Sequence, residues 1–166
     1  MDGGHTMLKK ILLTAALITL ATTSSQAAVS VIAGGPRVGF SVDPDQLVFG
    51  GQFVIGPIAR NMTFDPSLEI GLGDDVTSIA FNFDLKYHLK LEDSDWSPYF
   101  GAGLGVHFFE FDGPGEDDSD TELGGILLVG VGVPTSAGNR FFSELRFGLA
   151  DDIPSMKVMV GWNFKM

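Results

Sequence analysis

Few residues in this chain are equipped to make or break bonds. Cysteine is absent, which excludes thiolate nucleophiles, thiolate metal sites and disulfide scaffolds. The three histidines are His5, His88 and His107. A serine nucleophile needs an imidazole within hydrogen-bond reach and a third group to orient that imidazole. His107, with Glu110 and Asp112 close by in sequence, and Ser155 are the residues that could fill those roles, but no nucleophile–base spacing joins them. Glycine-rich segments recur without a following helix, so a phosphate-cradling loop is excluded.

The other chemistry-bearing residues are acids. Asp and Glu total 21 against 10 Lys and Arg, for a formal charge of −11. A nucleic-acid binder needs a basic face to displace counterions from phosphates, and none can be assembled here. Asp43, Asp45, Asp74, Asp75, Asp112, Glu116, Asp117, Asp118, Asp120, Glu122, Asp151 and Asp152 fall in or beside turn-rich stretches. Aspartates there supply local turn hydrogen bonds. They could also share Ca²⁺ or Mg²⁺, with Asp74, Asp75, Asp117, Asp118, Asp120, Asp151 and Asp152 as the candidate rim. The run from Gly113 to Asp120 lacks EF-hand spacing, so no closed cage is implied.

The elements that must position these residues begin after an address. Lys9 and Lys10 precede an apolar run, Ile11 to Ala21, and Ser25-Gln26-Ala27 closes it with small residues. That order describes a secretory signal peptide, residues 1–27, with cleavage expected after Ala27 and Met7 as an alternative start. The apolar run is too short for a membrane anchor, and charges, Gly or Pro interrupt every later one. Its removal takes away Asp2, Lys9 and Lys10 and leaves 20 acids against 8 bases. Residues 28–166 are expected to form one domain.

In that domain the apolar residues alternate. Ile79, Phe81, Phe83, Leu85, Tyr87, Leu89 and Leu91 take one side of a strand, while Ala80, Asn82, Asp84, Lys86, His88 and Lys90 take the other. The pattern predicts strands near 31–42, 47–56, 62–73, 77–91, 98–111, 121–133, 140–150 and 156–165, joined by short turns into an antiparallel meander. A water-soluble barrel, binding a small apolar ligand, would turn the large apolar set inward and leave Gly101, Gly103 and Gly105 bare in water. The inverse arrangement puts large apolar side chains in lipid and uses the glycines to make room inside for long polar ones. Transmembrane barrels alternate this way, and closure pairs every backbone group, as hydrocarbon demands. The expectation is an all-β, eight-stranded antiparallel up-and-down transmembrane β-barrel.

The inward faces would then deliver Arg37, Lys86, Lys90, Arg146 and Lys157 against Glu69, Asp84 and Glu144, joined by His88, His107, Gln52, Asn82 and Asn163. Unpaired buried charge is costly, and an eight-stranded lumen is just wide enough for side chains to fill. A plugged polar core is expected; the alternative is a proton or ion path along the same charges. The register of Ile126-Leu127-Leu128-Val129 is ambiguous, since it is apolar on both sides.

The signal peptide, the meander, Pro98-Tyr99-Phe100-Gly101-Ala102-Gly103-Leu104-Gly105 and a terminal Val160-Gly161-Trp162-Asn163-Phe164 together resemble the small outer-membrane β-barrel proteins. The opacity-type, attachment-invasion and outer membrane protein W groups are of this kind. The resemblance implies residence in a Gram-negative outer membrane, in contact with outer-membrane lipid and lipopolysaccharide. It implies no cofactor, and a non-enzymatic structural or surface role. It also implies that Phe164, followed here by Lys165 and Met166, is the residue read by the barrel assembly machinery. Some barrels of this size hydrolyse or transfer acyl groups on lipid A using His and Ser. The hydrolase group's His-Xaa-Ser-Asn pattern is missing here.

Overall fold

The computed structural model describes residues 29–74, 76–111 and 118–166. The expected signal peptide, Asp75, Asp112, Glu116 and Asp117 lie outside the described residues. Eight strands follow one another: β1 (Ser30–Val42), β2 (Gln46–Ala59), β3 (Met62–Leu72), β4 (Val76–His88), β5 (Ser97–Phe111), β6 (Asp118–Pro134), β7 (Arg140–Gly148) and β8 (Met156–Lys165). Each pairs antiparallel with its sequence neighbour, and β1 pairs with β8 to close an up-and-down barrel. One end carries both termini of the barrel and the connections at 60–61, 89–96 and 135–139; the other carries the connections at 43–45 and 149–155, the ends of β3 and β5 and the starts of β4 and β6. We call these the terminal end and the loop end. Asn61 turns β2 into β3 in the left-handed region (φ 61°), which Asn tolerates better than most residues.

Burial is inverted relative to a water-soluble protein. Phe83 is 45% exposed while its neighbour Asp84 is 0% exposed. The same alternation holds along β7 and β8, where Leu145, Phe147 and Val158 face out and Glu144, Arg146 and Lys157 face in. Most of the large apolar side chains form a continuous outer surface, and the middle of the interior is charged, so the soluble-barrel expectation does not describe this molecule. Aromatic residues collect on that surface near the terminal end, where Tyr87 meets Phe100 and Phe141 meets Trp162 at ring separations of 5.6 and 6.0 Å.

One expectation is corrected, and one open register is settled. The fourth strand ends at His88 and not at residue 91, because its neighbour β3 runs out: Tyr87 pairs with Met62 at the start of β3, and beyond His88 one bond, Leu89 N to Pro98 O at 2.8 Å, continues toward β5. The alternation of Leu89 and Leu91 continues past the last ladder partner into the 89–96 connection. The ambiguous sixth strand is settled by its neighbour. Leu128 and Ile126 turn into the lumen, Leu128 against Gly101 and Ile126 against Gly105 of β5, while Leu127 and Val129 face out.

Candidate functional site: the ion-paired lumen

Four cations and four anions occupy the middle of the lumen: Arg37, Lys86, Arg146 and Lys157 with Asp65, Glu69, Asp84 and Glu144. None is more than 7% exposed. They come from β1, β3, β4, β7 and β8, while β2 contributes Gln52 and β5 contributes Tyr99. Seven ion pairs join all eight into one continuous network.

Glu144 is the hub. Its Oε1 accepts from Arg37 at 3.1 Å and Arg146 at 2.8 Å, and its Oε2 accepts from Lys86 Nζ at 2.7 Å and the Tyr99 hydroxyl at 3.0 Å. From this hub one branch runs through Arg146 to Asp84, which accepts both guanidinium nitrogens at 2.6 and 3.0 Å. A second runs through Lys86 to Asp65 at 3.3 Å. A third runs through Arg37 to Glu69 at 3.3 Å, and from Glu69 to Lys157 at 2.8 Å. Arg37 also donates to Gln52, which donates in turn to Asn163, each at 2.9 Å. Aromatic faces line the cations: Lys86 Nζ sits 5.1 Å from the Tyr99 ring centre, and Arg37 lies 5.8 Å from that of Phe142.

Local strand geometry alone would make this arrangement unfavourable. Asp65 and Asp84 are direct cross-strand neighbours on β3 and β4, and Arg146 and Lys157 are direct neighbours on β7 and β8. Like charges directly opposite are destabilising in a sheet. Arg146 reaches Asp84, Lys157 reaches Glu69 and Lys86 reaches Glu144 across the lumen, so these links form only when the sheet is closed, whereas Asp65 is met by Lys86 of the adjacent strand. Glycines make the reach possible. A Cβ on Gly103 would run into the Asp84 carboxylate, and one on Gly161 into the Phe142 ring.

Of the eight lumen charges expected from the sequence, Arg37, Glu69, Asp84, Lys86, Glu144, Arg146 and Lys157 are brought together, and Lys90 is not. Lys90 lies beyond the end of β4 and is exposed. Asp65 takes its place in the balance. It precedes Glu69 by four residues and so shares its face, a signal present in the alternation of β3.

The two remaining histidines are separated. His107 is 1% exposed in the lumen, stacks on Phe109 at 5.9 Å, and neither ring nitrogen has a hydrogen-bond partner. Glu110 points to the opposite face of β5, and the Ser155 hydroxyl donates to the Val42 carbonyl at 3.2 Å. The Ser–His arrangement considered for His107 is therefore not assembled. His88 sits half-buried at the terminal end, with Nε2 3.1 Å from the Thr63 hydroxyl.

The described acids of the candidate rim lie at the loop end. Asp43, Asp120, Glu122, Asp151 and Asp152 surround a depression of about 280 Å³ together with Pro44, Phe109 and Ile153. Asp45 and Asp74 are exposed nearby in the same set of connections, and Asp118 opens β6. Among the described residues no three acids or histidines converge as a metal site.

Solved structures share this architecture, three of them as follows. The N-terminal β-barrel domain of Pseudomonas aeruginosa OprF superposes with a TM-score of 0.66 at 16% identity, covering 86% of this chain and 100% of that one. Neisserial surface protein A gives 0.65 at 13% identity, covering 84% and 99%. The Yersinia pestis outer membrane protein Ail gives 0.51 at 11% identity, covering 81% and 99%. The fold is that of a small outer-membrane barrel. No protein-family model matches the sequence, and no curated protein matches it. The likeness is one of fold, carried by eight strands, their order and their closure.

Proposed function

We propose that the protein is a non-enzymatic barrel of a Gram-negative outer membrane, exported through a cleaved signal peptide, with a structural or surface-interaction role and a shut lumen. The observation that carries this reading is the continuous ion-paired network inside a barrel whose outer surface is apolar. Lipid is the solvent in which exposed Phe49, Phe81, Phe83 and Leu104 cost nothing. The aromatic cluster near the terminal end fits the interfacial girdle of such barrels. In this orientation the loop end faces outward among lipopolysaccharide, and the terminal end faces the periplasm. Acids at the loop end would meet divalent cations diffusely, shared with lipid phosphates rather than caged. Phe164, exposed on β8 and paired with Gly34 across the closing seam, is positioned to serve as the signal for the assembly machinery.

The test is the gel mobility of the outer-membrane fraction, boiled against unboiled, followed by conductance across a planar bilayer. A heat-dependent shift with no steady conductance is expected. Recovery as a soluble protein without a shift would overturn the membrane reading, and steady single-channel steps would overturn the shut lumen.

A further inference from the structure

The terminal end of the lumen is not filled. A cavity of about 570 Å³ opens there, beneath the ion-paired network and between the 89–96 and 135–139 connections. Small-molecule sites typically enclose about 300–1,000 Å³, with mostly apolar walls and a few fixed polar groups. Here Val54, Tyr99 and Phe142 supply apolar surface within the barrel, and Leu89 and Trp96 supply it at the mouth.

The charges lining this cavity are arranged in two tiers. Lys90, Arg140 and Lys165 belong to the mouth, since Arg140 opens β7, Lys165 closes β8 and Lys90 lies in the connection after β4. Among the described residues none of these three has a carboxylate within 4 Å, whereas all four cations of the network do. Asp95 is the acid that lines the mouth, and Glu92 and Asp93 of the same connection do not line it. The floor carries an acceptor. Asp65 is 3% exposed and turns Oδ2 toward Lys86, but its Oδ1 has no hydrogen-bond partner. A buried carboxylate oxygen left unpaired is costly, so a donor brought to it is favourable.

We propose that this cavity binds a small molecule with an apolar body, one carboxylate or phosphate held by Arg140, Lys165 and Lys90, and a hydroxyl or amide donor directed at Asp65. The mouth selects for negative charge, the walls for an aromatic or branched apolar body, and the floor for a donor. The site goes beyond the structural role argued above and is reached from the terminal end.

The experiment uses the mature barrel in nanodiscs of uncharged lipid, titrated with hydroxynaphthoate and read by the ligand's fluorescence. Saturable one-to-one binding above that to empty nanodiscs is expected. Naphthoate without the hydroxyl should bind roughly tenfold more weakly, and naphthylmethylamine, a cation of similar shape, should not saturate. The double variant Arg140→Gln/Lys165→Gln should lose about tenfold or more in affinity for hydroxynaphthoate while keeping its heat-dependent gel shift, since neither side chain is in the network. Asp151→Asn, at the other end, should bind as the parent does. Absence of saturable binding, equal binding of the amine, or an unchanged affinity in the double variant would overturn the site. Equal binding of naphthoate and hydroxynaphthoate would remove Asp65 from it.

Discussion

The two ends of the lumen are finished differently. At the loop end Ile153, in the connection between β7 and β8, folds inward until it is 3% exposed, and it occupies the space above Gly124 and Gly148. Backbone bonds hold that connection against the barrel, from Leu149 N to Gly125 O at 2.9 Å and from Gly148 N to Ser155 O at 3.1 Å. Phe109 lines the same region, and acids ring what remains. Among the described residues no connection folds in at the terminal end, the larger cavity stays open, and Lys90, Arg140 and Lys165 stand at its mouth with Asp95. Alternation along the strands fills only the middle of an eight-stranded barrel. What caps each end depends on whether a connection is long enough, and apolar enough at one position, to turn back over it.

The strongest way to break this contrast is to remove the middle that both ends rest on. Glu144→Ala strips the shared partner from Arg37, Lys86 and Arg146. Removing one partner of a buried pair typically costs ~3–5 kcal/mol, because an uncompensated charge stays behind. Urea titration of the folded band should show a loss at least that large, and an unchanged midpoint would mean that the network is not structural. Ile153→Ala comes next. A buried Ile→Ala change costs about 2–5 kcal/mol, and the lower end is expected for a side chain at a rim. Its sharper readout is access: a water-soluble quencher should reach the lumen from the loop side in the variant and not in the parent.

Asp65→Ala and Lys90→Ala test the balance of four against four. Lys86 keeps Glu144 when Asp65 is removed, so roughly 1–3 kcal/mol is expected, less than for the hub. Lys90→Ala should fall within about 0.5 kcal/mol of the parent, as exposed substitutions do. If the two variants were equally destabilised, Lys90 would have a lumen role that its exposed position denies it.

Much of this was legible from the sequence. The strict alternation from Ile79 to Tyr87 places Asp84 and Lys86 opposite a row of aromatic and aliphatic residues, and the structure keeps that division. Gly101, Gly103 and Gly105 at every second position announced a face where space is needed. The errors have a common origin. Lys90 continues the alternation of β4, but a strand ends where its neighbours end, and the start of β3 at Met62 is not written in the sequence of β4. Asp65 carried the same signal as Glu69, four residues later on one face. The inward side of Ile126 and Leu128 depended on glycines of another strand.

The sequence by itself determined that the chain forms strands, which face of each is apolar and which residues stand beside each other on that face. Both follow from the two-residue period of a strand, a local property. Only the closed tertiary structure decided which charge meets which. Arg37 and Glu144 lie 107 residues apart, and Glu69 and Lys157 lie 88 apart. Read from adjacent strands alone, Asp65 beside Asp84 and Arg146 beside Lys157 are repulsive. Closure turns β7 and β8 toward β3 and β4 across the lumen, so that Arg146 finds Asp84 and Lys157 finds Glu69, while Asp65 is balanced by Lys86 of the neighbouring strand.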